Sequence, residues 1–177
     1  GRATIRKTLQ TLAMILDHGG IEPNPVRDKR VRLPRADDDE INPPTAALLL
    51  SEFVSLEPDE WVVQNAANSA VGVYLVQLAG YRGHRTVNVV RREDAVAVVR
   101  EAGGDTVLVD GEDLAERVAE ATGGAKIRLG IDAVGGAATG RLADCLCRSA
   151  TLVNYGRLSG EPCTVDPSAF IFRDLTL

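Results

Sequence analysis

From residue 61 onward, short apolar runs alternate with longer stretches in which apolar residues recur at helical spacing. The apolar runs predict five β-strands, at 61–65, 86–90, 106–109, 128–132 and 151–155. The stretches between them predict helices at 70–82, 94–102, 112–122 and 139–146, and another helix is predicted at 45–56. Continuously apolar strands joined by such helices are typical of a parallel sheet covered on both faces. The pattern therefore predicts an α/β fold of Rossmann type, with a doubly wound parallel sheet.

The first 44 residues follow a different pattern. Helical spacing of apolar residues predicts an amphipathic helix at 3–17, and five prolines in 21–44 indicate an irregular linker. Residues 1–35 hold eight Lys and Arg against three Asp and Glu, a net +5, whereas 36–177 hold twelve against twenty-two, a net −10. This division fits a nucleic-acid-binding arm on an acidic body, or two sequences of different origin. We divide the chain into a helix with a basic, proline-rich linker (1–43) and an α/β domain (44–177).

The composition is that of an ordinary globular protein, 45% hydrophobic and 25% charged. No apolar run approaches the roughly 20 residues of a membrane span, and no export leader is visible, so we expect a cytoplasmic protein without a membrane partner. Cys145, Cys147 and Cys163 are an odd number, and the two histidines, His18 and His84, are distant in sequence. We expect three reduced, buried thiols and no metal site, the alternative being a reactive thiol or a weak metal site.

The turn between the first predicted strand and its helix, residues 65–72, is made almost entirely of small or polar residues. In dinucleotide-binding folds the diphosphate lies at this turn, because the free amides and the dipole of the helix face the anion. Asn68 and Ser69 are also suitable helix caps. Of the usual glycine pattern only Gly72 is present, so the segment equally fits a turn that packs a helix against the sheet.

Two arginines, Arg91 and Arg92, follow the second predicted strand, about twenty residues after this turn. An NAD site would place Asp or Glu there to hold the ribose hydroxyls, and an acid would repel a 2′-phosphate. Guanidinium groups bind a phosphate by charge-assisted hydrogen bonds, so the arginines favour NADPH over NADH. A solvated basic turn is the alternative. Glycine-containing segments at 132–136 and 154–157 end the last two strands and fit either a cofactor contact or a tight turn.

Three segments carry a family resemblance: Asn-Pro-Pro-Thr-Ala at 42–46, Trp-Val-Val-Gln-Asn-Ala-Ala-Asn-Ser-Ala-Val-Gly at 61–72, and Thr-Val-Asn-Val-Val-Arg-Arg at 86–92. Residues 42–177 resemble the medium-chain dehydrogenase/reductase superfamily, and within it the zinc-independent 2-enoyl thioester reductases and quinone oxidoreductases. The resemblance implies NADPH contacts from Asn42, Asn68, Ser69, Ala70, Val71, Arg91, Arg92, Tyr155 and Gly156. Many members have Gly at the position of Ala70, so this chain carries an additional methyl group where the resemblance places the phosphate contact.

The resemblance also implies an activity, the transfer of hydride from the nicotinamide to the β-carbon of an α,β-unsaturated thioester. In the family a tyrosine from a preceding GroES-like domain assists, and neither Tyr74, Tyr81 nor Tyr155 matches it, so we predict no catalytic residue in this chain. Family members continue beyond the segment that corresponds to 172–177, so we expect a sheet truncated at its C-terminal side. The expected partners are the cofactor and an enoyl thioester; the sequence does not predict the oligomeric state.

Residues 1–44 resemble the end of the core-binding domain and the linker of a tyrosine recombinase of the phage integrase type, which suggests a chimera. Three hypotheses follow. The first is the nucleotide-binding domain of an NADPH-dependent oxidoreductase, the second a DNA-binding protein that uses the basic arm, and the third a non-catalytic chimeric fragment. Nucleic acid is disfavoured as a partner, because one helix offers few phosphate contacts and the acidic body repels the backbone.

Overall fold

The computed structural model describes residues 43–177, with side chains from residue 46 onward. The predicted helix at 3–17, most of the predicted linker and Asn42 lie outside these residues. Within them the chain alternates strands and helices, as predicted.

Five strands form one parallel sheet in the order β3-β2-β1-β4-β5. They are β1 (Trp61–Gln64), β2 (Arg85–Val90), β3 (Thr106–Val109), β4 (Leu129–Asp132) and β5 (Thr151–Asn154). The helices are α1 (Pro43–Ser51), α2 (Ala70–Tyr81), α3 (Val96–Glu101), α4 (Leu114–Thr122), α5 (Ala137–Asp144) and α6 (Ser168–Arg173). From β1 the chain moves outward to β2 and β3, then returns to build β4 and β5 on the other side. The direction of winding therefore reverses between β1 and β4, which confirms the doubly wound Rossmann-type fold.

Both faces of the sheet are covered, which is why its strands are apolar throughout. On one face Val62, Leu129 and Ile131 pack against α1 and α2. On the other face a larger cluster joins β1, β2 and β5 to α4, α5 and α6. Val62 and Val63, successive residues of β1, are both fully buried, because they point to opposite faces. None of the helices between residues 43 and 177 is long and apolar enough to cross a membrane.

A buried amide chain ties the start of α2 to the sheet. The Gln64 side chain donates to the carbonyl of Gly72 at 3.0 Å and to Asn88 Oδ1 at 2.8 Å. Asn88 in turn donates to Thr86 Oγ1 at 2.9 Å and to the carbonyl of Thr106 at 3.1 Å. Gln64, Asn88 and Thr86 are all buried, and their side-chain amide and hydroxyl groups are paired, as buried polar groups require. The chain of bonds fixes the first turn of α2 relative to β1, β2 and β3.

Two helices differ from the sequence prediction. The helix predicted at 45–56 ends at Ser51, whose hydroxyl donates to the carbonyl of Ala47; the residues that follow, Glu52 and Phe53, are exposed, so no packing extends the helix. The second, α6, was not predicted. After it, Thr176 forms an isolated parallel bridge with Thr151 on the outer side of β5.

Candidate functional site

A cleft of about 680 Å³ opens at the carboxyl ends of the strands, where β1 and β4 lie side by side. This is the point at which the direction of winding reverses, the place where open parallel sheets bind ligands, and the volume is that of a small-molecule site. The cleft is lined by the turn after β1, the ends of β2 and β3, the start of α5 and the loop after β5. Its lining includes Asn68, Ser69, Arg91, Arg92, Asp110, Gly135, Gly136, Arg141, Ser159 and Glu161.

The turn after β1 holds the start of α2 against the sheet. Ser69 caps the helix, its hydroxyl oxygen accepting from the amide of Gly72 at 3.1 Å. Ala66 has a φ of 47°, in the left-handed region, and its carbonyl accepts from the amide of Ser69 at 2.8 Å. Within residues 43–177 the amides of Ala70 and Val71 donate to no acceptor. Free amides at the start of a helix are the groups that bind a phosphate.

The two arginines after β2 supply positive charge to the same cleft. Both side chains are exposed. Arg92 Nε lies 3.1 Å from Asp94 Oδ1, whereas Arg91 forms no ion pair with any residue in the described part of the chain. Asn68, Ser69, Arg91 and Arg92, predicted separately as phosphate-binding residues, therefore lie around one cleft.

Tyr155 and Gly156 lie beside the cleft, and neither contributes to its lining. Tyr155 packs against the cluster under α1 and α2, where burial raises the pKa of its phenol and Ser69 acts in the opposite direction. Gly156 lies so close to β4 that a Cβ there would be 2.6 Å from the carbonyl oxygen of Ala133. Ala70 and Val71 also lie outside the lining, and their contribution to binding would come from their amides.

A buried carboxylate joins the ends of three strands beneath the cleft. Asp132 is fully buried, and its Oδ1 accepts from Asn65 Nδ2 at 2.6 Å and from the amide of Val134 at 2.8 Å. Its Oδ2 accepts from Thr139 Oγ1 at 2.6 Å and from Asn154 Nδ2 at 2.9 Å. Burial by itself would raise the pKa of Asp132, but these hydrogen bonds together outweigh it and lower the pKa below its ordinary value. Asp132 thus stays ionised and holds the ends of β1, β4 and β5 together.

The loop after β5 lies along the glycine turn after β4. The amides of Leu158 and Ser159 donate to the carbonyls of Ala133 and Val134, at 3.1 and 2.9 Å. Gly135 has a φ of 76°, and a Cβ there would stand 2.9 Å from the carbonyl oxygen of Glu161. Only glycine fits this position, so the turn needs its glycine whether or not a ligand contacts it.

A second charged pair in the cleft joins Asp110, which follows β3, to Arg141 on α5. Arg141 donates two parallel hydrogen bonds to the carboxylate, Nε to Oδ1 at 2.8 Å and the terminal nitrogen to Oδ2 at 2.6 Å. Sequence reasoning did not select Asp110, Arg141 or Asp132 as functional residues. The sequence indicated only that Asp110 and Asp132 lie at the ends of predicted strands and that Arg141 lies in the predicted helix after β4.

The cysteines do not suggest metal chemistry in the described region. Cys145 and Cys147 are partly buried, and burial raises the pKa of the Cys145 thiol to about 12. Cys163 is exposed, so the expectation of three buried thiols is wrong for this residue, which lies in the surface loop between β5 and α6. Between residues 43 and 177 no group of three or more His, Cys, Asp or Glu side chains is arranged to hold a metal ion.

Known proteins are similar to this chain in sequence and in fold. A family model described as zinc-binding dehydrogenase matches residues 70–177. The mitochondrial enoyl-[acyl-carrier-protein] reductase of Dictyostelium discoideum is 38% identical over 148 residues, which are 77% of this chain and 41% of that protein. Among solved structures, the complex of Etr1p with NADP and crotonyl-CoA superposes with a TM-score of 0.71 at 28% identity, over 77% of this chain and 40% of that one.

A mycobacterial protein solved with NADPH gives the same TM-score, 0.71, at 29% identity, over 78% of this chain and 43% of its own. The chain thus spans about two fifths of the length of the proteins it matches.

Proposed function

The chain belongs to the zinc-binding dehydrogenase family within the medium-chain dehydrogenase/reductase superfamily, among proteins similar to enoyl thioester reductases and quinone oxidoreductases, and we propose that residues 44–177 form an NADPH-binding domain. The observation that carries the proposal is the cleft, in which free helix amides and two arginines lie at the reversal of a parallel sheet. The relatives support it, since solved structures similar to this chain contain NADP or NADPH.

The residues present fit NADPH in chemistry as well as in place. The amides of Ala70 and Val71, with Asn68 and Ser69, would hold the diphosphate. Arg91 and Arg92 would hold the 2′-phosphate, where an acid would exclude it. Asn42, Tyr155 and Gly156 are further proposed contacts. When bound, NADPH supplies the hydride, and the part of the protein described here binds and orients the cofactor.

A zinc ion does not fit the same residues, despite the family name. The described residues contain no three-ligand group, and the partly buried Cys145 has a raised pKa, which disfavours the thiolate that zinc binds. We therefore derive no chemistry from a metal in this domain.

For the whole protein we propose the reduction of the C=C bond of a 2-enoyl thioester, with a quinone as the alternative substrate. Support comes from the names of the relatives, which are mitochondrial enoyl-[acyl-carrier-protein] reductases, and from the neighbour solved with crotonyl-CoA. No catalytic residue is proposed within 44–177. The cytoplasmic location expected from composition stays a prediction.

Direct titration tests the proposal. The chain has a single tryptophan, Trp61, which is buried in β1 and provides a donor for energy transfer to a bound reduced nicotinamide. NADPH is expected to quench its emission saturably, and NADH to do so only at higher concentration. Folded protein that binds neither cofactor at millimolar concentration would rule out the proposed function.

Substitution of the arginines tests the assignment of the 2′-phosphate. Arg91→Gln or Arg92→Gln is expected to raise the Kd of NADPH about tenfold, the value of a charge-assisted hydrogen bond, while the Kd of NADH stays within about twofold. Arg100→Gln is the matched control, because Arg100 is also exposed but lies in α3, outside the cleft lining. Equal losses for both cofactors, or losses in the control, would contradict the assignment.

Two other predictions concern residues that the structure does not describe. The resemblance of residues 1–44 to a tyrosine recombinase, and with it the chimeric fragment, stays a prediction. The DNA-binding alternative rests on the basic charge of residues 1–35. A gel shift on duplex DNA at low salt tests it, and a shift that weakens with added salt is the result that would favour it.

A further inference from the structure

Asp110 lies in the cleft at a place where its negative charge would repel the 2′-phosphate of NADPH. It directly follows β3, and its amide donates to the carbonyl of Val90 at 2.8 Å, so that it stands beside Arg91 across the ends of β2 and β3. Asp110 and Arg91 both line the cleft. A carboxylate at this edge repels a phosphate and accepts hydrogen bonds from ribose hydroxyls, which are the properties of a site for NADH.

Arg141 neutralises this carboxylate from across the cleft. Its two parallel bonds occupy both oxygens of Asp110, and the side chains are only 22% and 24% exposed. The hydrogen bonds that Arg141 donates to Asp110 are the main reason that the pKa of Arg141 is raised. The third nitrogen of Arg141 lies 3.6 Å from Glu112, whose side chain is 96% exposed and therefore well screened.

No other cation takes this role in the described part of the chain. Arg117 is near, but it donates to the carbonyl of Val109 at 2.9 Å and pairs with Asp113 at 2.9 Å. Arg92 pairs with Asp94. If Arg141 were absent, the charge of Asp110 would stand unneutralised beside Arg91 at the ends of β2 and β3, and Arg91 is the guanidinium that the proposed function assigns to the 2′-phosphate.

We propose that Arg141 determines the cofactor preference of the cleft by masking Asp110, so that a dinucleotide with a 2′-phosphate is accepted. The proposal rests on the proposed NADPH-binding function. Arg141 acts here through Asp110 and makes no direct contact with the phosphate. Loss of the guanidinium exposes a negative charge beside Arg91, which repels the phosphate and competes with it for that arginine. NADH carries no phosphate at this place and is little affected.

The test compares Arg141→Gln with the double variant Arg141→Gln, Asp110→Asn. The single substitution is expected to raise the Kd of NADPH about tenfold and that of NADH less than about threefold, as for one unscreened charge at close range. The double variant removes the exposed charge as well, so it is expected to restore the ratio of the two Kd values to within about threefold of the unsubstituted chain. Asp110→Asn alone should leave NADPH binding unimpaired.

Arg128→Gln is the matched control. Arg128 also donates two hydrogen bonds to one carboxylate, that of Glu60, but the pair lies at the amino ends of β1 and β4, opposite the cleft. Its loss should change stability without changing the ratio of Kd values, and urea unfolding of each variant separates folding from binding.

The outcomes distinguish the two proposals. Equal weakening of NADPH and NADH by Arg141→Gln, or a double variant that remains as poor for NADPH as the single one, overturns the masking role while the proposed function stands. Absence of binding by the unsubstituted chain overturns the proposed function and this inference with it.

Discussion

Gly72→Ala is expected to destabilise the domain by about 2–4 kcal/mol, although it adds only one methyl group. Gly72 lies in the first turn of α2, and a Cβ there would stand 2.6 Å from the carbonyl oxygen of Ala67 and 2.7 Å from its Cα. Both atoms belong to the backbone, so rotation of a side chain cannot relieve the clash. Either the helix moves away from the turn after β1 or the turn deforms.

Gly80→Ala in the same helix is the matched control. Gly80 is exposed, and nothing lies within 4 Å of the position of its Cβ. Because alanine loses less backbone freedom than glycine when a helix forms, this substitution is expected to stabilise the domain by about 0.5–1 kcal/mol. We therefore expect the same substitution, glycine to alanine, to lower the free energy of unfolding at Gly72 and to raise it at Gly80.

Urea unfolding followed by far-UV circular dichroism measures both effects. Similar changes for the two variants, or a Gly72→Ala domain as stable as the unsubstituted one, would contradict the close approach of α2 to the turn. Binding gives a second measurement, because the turn carries Asn68 and Ser69. The affinity for NADPH should therefore fall in Gly72→Ala and stay unchanged in Gly80→Ala.

The sheet could be predicted from the sequence because strands that are buried on both faces are apolar throughout, and such runs are visible in the local sequence. Each predicted strand agrees with the structure to within one residue at either end, as at β3, where 106–109 was predicted and Thr106–Val109 is found. The alternation with helices indicated parallel strands, and parallel strands place their carboxyl ends at one edge. The location of the cleft followed from this order alone.

The helices at the two ends of the described chain were harder to predict. The six residues of α6 bury only one side chain, Ala169, so they leave no helical periodicity in the sequence. The apolar residues Phe53 and Val54 extended the predicted first helix past Ser51, but Phe53 is exposed in the fold. In both places tertiary contacts, which a local pattern does not contain, decide where the helix lies.

In the candidate site, too, residues that are close in sequence could be predicted, whereas pairs that are distant in sequence could not. Asn68 and Ser69, or Arg91 and Arg92, are close in sequence, so turn chemistry and spacing sufficed to select them. The pairs that shape the cleft are distant: Asp110 and Arg141 are 31 residues apart, and Asn65 and Asp132 are 67 apart. Nothing in the sequence near Asp110 indicates that its charge is neutralised, because the neutralising Arg141 lies on α5 and meets Asp110 only in the folded chain.

Asp132→Asn is expected to destabilise the domain by about 3 kcal/mol, the cost of disrupting a buried, fully hydrogen-bonded carboxylate. An asparagine keeps the size of the side chain but turns one acceptor into a donor. That donor would face the amides of Asn65 and Val134, or the hydroxyl of Thr139 and the amide of Asn154, all of which donate at present. Asp113→Asn is the control, since within residues 43–177 this exposed carboxylate pairs with Arg117 alone and its loss should matter little.

The dependence of this effect on pH tests whether Asp132 is ionised in the folded protein. Its pKa is lowered below 3.8, so the carboxylate contributes stability above that pH and loses it as the pH falls through the lower folded value. The difference in the free energy of unfolding between the unsubstituted and Asp132→Asn proteins should be constant near neutral pH and narrow only below about pH 4. Urea unfolding from neutral to acidic pH measures it. A difference that instead widens as the pH falls from neutral towards 5 would mean that burial prevails over the hydrogen bonds and raises the pKa, because protonation would then stabilise the folded state. Asp132 would then be a proton donor at the ends of β1 and β5, and the glycine turn after β4 would be held by a neutral group.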